Sequence, residues 1–143
     1  KPTLLIDKKK CLANISKMAH KASSSSVNFR PHFKTHFSAE IGNWYRDAGV
    51  DSCTVSSVSM AAYFIKNGWE DVTIAFPFNP LEAATISDLA LKTHLNILIE
   101  SKESLELANK LLTNSVGYFL KLDIGTHLPG INPNNESLIH RVV

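Results

Sequence analysis

Apolar residues fall along this chain in two alternating patterns. Short runs rich in apolar, β-branched or aromatic residues sit near positions 4–6, 27–33, 52–55, 72–76, 95–99 and 118–122. The stretches between them repeat apolar residues at the spacing of an amphipathic helix. The first follows Asp7, a suitable N-cap, and puts Leu12, Ile15, Ala19 and Ala22 on one face. The second follows Ser38, carries Ile41, Trp44, Tyr45 and Ala48, and stops at Gly49. A third runs from about Ser57 through Met60, Ala61, Phe64 and Ile65 to Gly68. Asn79-Pro80 opens a fourth, with Asn as cap and Pro at the first helical position. Ser101 opens a fifth, with Leu105, Ala108 and Leu112 on one stripe, and residues 136–143 read as the next helix.

From the second run onward the strand centres recur every 20 to 24 residues or so, the rhythm of the βα unit. The runs are nearly continuous in apolar character, as parallel strands covered by helices should be. Residues 23–26 read as a helix-to-strand loop, and no linker divides the chain. Five such units suit either an open doubly wound sheet or part of a (β/α)8 barrel, and periodicity does not choose between them. The dinucleotide fingerprint G-x-G-x-x-G and the phosphate-loop signature are both absent.

Composition narrows the function classes. The chain has 143 residues, 44% apolar and 20% charged, which is the balance of an ordinary globular domain. Lys plus Arg total 15 against 13 for Asp plus Glu, a net charge of +2 that argues for no nucleic-acid partner. The one basic cluster, Lys8-Lys9-Lys10, reads as a solvated helix start. Cys11 and Cys53 cannot make a disulfide framework and read as free thiols of a reducing compartment. No apolar run approaches the roughly 18 residues of a membrane span. A soluble, cytoplasmic protein with no membrane partner is expected.

The segment Asn28-Phe29-Arg30-Pro31-His32-Phe33-Lys34-Thr35-His36-Phe37 concentrates the candidate chemistry. In an extended strand Arg30, His32, Lys34 and His36 share one side, and Phe29, Phe33 and Phe37 share the other. Cations crowded on one buried face repel each other and lose hydration. That arrangement points either to an anionic ligand or to a lysine held neutral enough to attack a carbonyl carbon. An edge strand with its polar face in water accounts for the same pattern. On a strand His32 and His36 stand about 13 Å apart, too far for one ion, so no metal set is expected in this chain.

Arg30-Pro31-His32-Phe33-Lys34-Thr35-His36, preceded by Pro2-Thr3-Leu4-Leu5-Ile6-Asp7 and a helix, resembles the D-threonine aldolase and D-serine dehydratase group. That group belongs to the alanine racemase-like (fold type III) pyridoxal-phosphate enzymes. Thr54-Val55-Ser56-Ser57-Val58-Ser59, Asp71-Val72-Thr73-Ile74-Ala75-Phe76-Pro77 and Leu120-Lys121-Leu122-Asp123-Ile124-Gly125 continue the likeness in order. The resemblance implies a partial (β/α)8 TIM barrel of the alanine racemase N-terminal type, about five βα units. It implies pyridoxal 5'-phosphate bound as an internal aldimine at Lys34, at the C-terminal mouth of a barrel strand. It further implies a lyase that cleaves D-threonine or dehydrates D-serine, with the released Lys34 amine as general base in the dehydration. Arg30, His32 and His36 match motif positions near the cofactor. A racemase of the same barrel type, a non-catalytic cofactor-binding protein and an inactive fragment are the rival readings.

One position departs from the pattern. Relatives carry an arginine shortly after the Asp-x-Gly turn, where this chain has Leu128, next to His127. Against a barrel of about 250 residues, 143 residues is a deficit. Residues 1–143 are therefore expected to be the N-terminal portion of the barrel domain, with later strands and a C-terminal β domain supplied elsewhere. A divalent metal would be held by that missing domain, and the full-length form is expected to be a homodimer.

Trp44, Tyr45 and Trp69 read as packing residues, Cys53 as an inert small hydrophobe in a strand, and Ser56, Ser57 and Ser59 as caps of the third helix.

Overall fold

The computed structural model describes residues 5–125 and 128–142. Its helices start where side-chain oxygens relieve unpaired backbone N–H groups. Asp7 accepts from the Lys10 N–H and Ser38 from that of Ile41. Ser57, Asn79 and Ser101 do the same for Met60, Leu81 and Ser104. From these caps run α1 (Lys8–Ser24), α2 (Ala39–Asp47), α3 (Val58–Lys66), α4 (Ala83–Ala90, after a 3₁₀ turn at Pro80–Glu82) and α5 (Lys102–Leu111). A last helix, α6, spans Glu136–Val142.

Four parallel strands alternate with the helices from α2 onward: β1 (Ser52–Val55), β2 (Asp71–Pro77), β3 (His94–Ile99) and β4 (Gly117–Leu120). Their order in the sheet is β1-β2-β3-β4. A doubly wound sheet reverses its strand order at a switch point, whereas a barrel wall runs in sequence. The alternative left open by periodicity is thereby settled in favour of a barrel arc.

The two faces of the arc differ in chemistry. Cys53, Val55, Val72, Ile74, Leu95, Ile97 and Ile99 are all at most 4% exposed and pack with α3, α4 and α5. Their strand neighbours on the opposite face include Ser52, Thr54, Asp71, Thr73 and Asn96. The strands are thus not uniformly apolar, because the face turned away from the helices carries polar residues beside apolar ones such as Leu98.

Three expectations are corrected. The run at 27–33 is not a strand: its sheet contact is a single bridge from His32 to Thr54, after which Phe33–Thr35 winds into a 3₁₀ turn. The wall therefore has four strands and a one-residue fifth position, not five full βα strands. Near residues 4–6, Leu5 and Ile6 carry no strand, and Leu4 lies outside the described residues. On α1 only Ile15 is fully buried, and Leu12 is exposed. Among the described residues no helix is long and apolar enough to cross a membrane.

Phe33 is 0% exposed and touches Tyr45, Phe64 and Trp69 at ring-centroid distances of 5.2, 4.9 and 4.9 Å. It joins the segment at 27–37 to α2, α3 and the start of β2. Phe33→Ala is expected to destabilise the protein by about 3–5 kcal/mol, read from the urea midpoint at constant m-value.

Candidate active site

A 3₁₀ turn has three residues per turn, so side chains three apart lie over one another. His36 accordingly follows Phe33 into the core, with ring centroids 4.6 Å apart, and stacks on Tyr45 at 6.0 Å. Lys34, between them, is carried out to solvent. The chain then leaves the turn through Phe37 at φ 43°, in the left-handed region that bulky residues avoid. The Phe37 ring rests on Tyr63 at 5.1 Å, and the Tyr63 hydroxyl accepts from the Ala39 N–H at the start of α2.

The four cationic side chains therefore do not share one face. Arg30 donates to both carboxylate oxygens of Asp71, from Nη1 to Oδ1 at 2.7 Å and from Nη2 to Oδ2 at 2.6 Å. Asp71 is the first residue of β2, so Arg30 lies toward the N-terminal end of the strands. His32 forms the bridge to β1, and its Nδ1 accepts from the Lys34 N–H. Lys34 lies beyond that bridge, at the C-terminal end of the arc. Its Nζ makes no ion pair or hydrogen bond among the described residues. The phenylalanines divide as well, with Phe33 buried, Phe29 half-buried and Phe37 exposed.

Burial and hydrogen bonding set the electrostatics. The hydrogen bonds to Asp71 hold the Arg30 guanidinium above its ordinary value despite burial. Desolvation pulls His32 below its usual 6.5, and the Lys34 charge pulls it further. Desolvation also lowers His36, against a partly opposing hydrogen bond from the Ser38 N–H to its Nδ1. With Nδ1 accepting, the neutral ring carries its proton on Nε2, which is sealed from water and has no hydrogen-bond partner among the described residues. Burial pushes the Cys53 thiol up to about 12, as expected for an inert core thiol.

Asp71, Asn96 and Glu100 are site residues that the sequence reading passed over. Asn96 Nδ2 donates to Asp71 Oδ1 at 3.1 Å. Glu100 follows the last residue of β3 and has Oε2 buried without a hydrogen-bond partner. Their signal was a polar residue at alternate positions of an apolar run, readable only once the barrel face was known. Leu128 is 59% exposed rather than packed, and His127 lies outside the described residues. Among the described residues no group of three His, Cys, Asp or Glu side chains is placed to hold a metal ion.

No family model matches the chain. It is 30% identical over 137 residues to the D-serine dehydratase of Dictyostelium discoideum, covering 87% of this chain and 34% of that protein. The D-threonine aldolase of Filomicrobium marinum superposes with a TM-score of 0.89 at 21% identity, over 94% of this chain and 38% of that one. An alanine racemase-like protein of Idiomarina loihiensis superposes with a TM-score of 0.85 at 25% identity, over 98% of this chain and 39% of that one. The chain spans about a third of the length of the curated relatives it matches. The resemblance read from the motifs and the partial alanine racemase-type barrel are both borne out.

An imidazole that stays neutral in the fold but is protonated when unfolded makes unfolding take up protons. The stabilising contribution of His32 and His36 is present above 6.5 and is lost as the pH falls through their lower folded values. Urea midpoints are expected to fall from about pH 7 to about pH 5, and His36→Phe should shrink that slope, whatever its effect on absolute stability.

Proposed function

We propose that this chain, a member of the D-threonine aldolase and D-serine dehydratase-like group of alanine racemase-like proteins, supplies the lysine-bearing wall of a pyridoxal-phosphate-dependent lyase. Residues 1–143 form the N-terminal portion of its (β/α)8 barrel domain. The substrates are D-β-hydroxy amino acids, cleaved as D-threonine or dehydrated as D-serine. The observation that carries this reading is the state of Lys34. It is an exposed amine with no ion pair or hydrogen bond among the described residues, at the C-terminal end of a barrel wall, inside the R-P-H-x-K-T-H segment.

That donor fits the cofactor. Lys34 would hold pyridoxal 5'-phosphate through its Nζ, which no carboxylate engages among the described residues. The bound cofactor supplies the electron sink that lets a bond at the substrate α-carbon break. In dehydration Lys34 Nζ would take the substrate α-proton. His32 sits beside it, fixing the start of the turn through the Lys34 N–H, and lines the approach to the cofactor. His36 acts from behind, through Phe33 and Tyr45. Arg30 is committed to Asp71 and does not face the lysine's end of the arc. A divalent metal would be held by parts of the protein beyond this chain.

The full-length protein with pyridoxal phosphate is expected to show a visible absorbance band that borohydride abolishes and Lys34→Ala never forms. Incubated with D-threonine it should yield glycine and acetaldehyde, and with D-serine pyruvate and ammonia. Running both with and without divalent metal identifies the reaction. A band that survives Lys34→Ala, or racemisation with no lysis, would overturn the proposal.

A further inference from the structure

On the helix side the Lys34 segment is anchored by Phe33, but few backbone bonds tie it to the sheet. A full strand would fix the lysine through a ladder of backbone bonds, but here the ladder is one bridge, His32 to Thr54, with the Thr54 N–H donating to Pro31 O at 2.8 Å. A single bridge is a pivot. Phe33 resists movement toward the helices, since it is buried on that side. Against a swing along the face of the sheet there remains Arg30, on the other side of the pivot from Lys34.

Arg30 is tied firmly. Both of its terminal nitrogens meet both oxygens of Asp71, at 2.7 and 2.6 Å, with side-chain exposures of only 25% and 31%. A two-point, charge-assisted pair fixes orientation as well as distance. Asp71 is itself braced, because Asn96 Nδ2 on β3 donates to its Oδ1 at 3.1 Å. Asn96 in turn occupies space left by Gly117 on β4, where an added Cβ would collide with Asn96 Oδ1. The tie therefore runs from the lysine segment across β2 and β3 to β4.

We propose that Arg30 is a positioning residue for Lys34, acting through the Arg30–Asp71–Asn96 tie and touching neither cofactor nor substrate. This rests on the reading that Lys34 attaches the cofactor. Loss of the tie lets the segment turn about His32 and moves the Lys34 amine out of line, while the helix-side core stays intact. Lysine at position 30 keeps the charge but makes only a single-point contact, so it restores function in part.

The experiment uses the full-length protein and compares Arg30→Met, Arg30→Lys and Asp71→Asn. Leu89→Ala, a buried α4 residue away from the tie, serves as a control for stability loss alone. Arg30→Met and Asp71→Asn are expected to lower kcat by about 10- to 100-fold with KM nearly unchanged. They should slow the appearance of the visible band on adding pyridoxal phosphate, and speed hydrogen exchange of the Thr54 amide above that of the β3 amides. Arg30→Lys should fall between these variants and the parent. Leu89→Ala should lower the melting midpoint without any of these changes.

The proposal is overturned if Arg30→Met and Asp71→Asn change kcat, band formation and Thr54 exchange no more than Leu89→Ala does at an equal drop in midpoint. A band that persists in Lys34→Ala removes the functional reading instead. In that case the Thr54 exchange still decides whether the tie holds the segment.

Discussion

The geometry around the candidate lysine depends on the burial of Phe33. Its ring fills the space between α2, α3 and Trp69, among the rings of Tyr45, Phe64 and Trp69. Once Phe33 is fixed, the 3₁₀ turn dictates the rest. His36 must overlie Phe33, and Lys34 must leave the core. The strained Phe37 conformation, of a kind that costs about 1–3 kcal/mol, is held by its ring contact with Tyr63 and by the cap of α2 that follows at once. A hydrophobic side chain thus places the candidate lysine at the very next residue, with no polar contact to the amine among the described residues.

A second division of labour runs across the sheet. The helix-facing side is an apolar core that makes the fold. The other side carries charge and amide groups, of which Arg30, Asp71 and Asn96 offset part of their desolvation by hydrogen-bonding one another. The arrangement places the polar network beneath the end of the wall where Lys34 stands. It also separates two kinds of cation that look alike in sequence. Arg30 is paired with Asp71, whereas Lys34 Nζ has no ion pair or hydrogen bond among the described residues.

Much of the fold was legible in the residues. Asp7, Ser38, Ser57, Asn79 and Ser101 marked helix or turn starts because capping is local physics, decided within three residues. The runs at 52–55, 72–76 and 95–99 became strands with a side packed on α3, α4 or α5, and the run at 118–122 joins them through its pairing with β3. The run at 27–33 did not. Pro31 offers no N–H to a ladder, and the pull of Phe33 into the aromatic cluster tightens the chain into a turn. The site was legible only as a list of residue types. Strict alternation grouped Arg30, His32, Lys34 and His36, yet it holds only as far as Phe33. The partner of Arg30, Asp71, lies 41 positions downstream, and Asn96, which braces Asp71, lies 25 further on, beyond the reach of any local pattern.

Gly117 carries an evolutionary consequence out of proportion to its size. A side chain arriving at 117 must displace the Asn96 amide from the volume it fills, and a residue at 96 that cannot reach Asp71 removes the brace on its Oδ1. The two sites, 21 residues apart on neighbouring strands, are bound to change as a pair. Lineages that share this floor should inherit glycine and asparagine together or have replaced both.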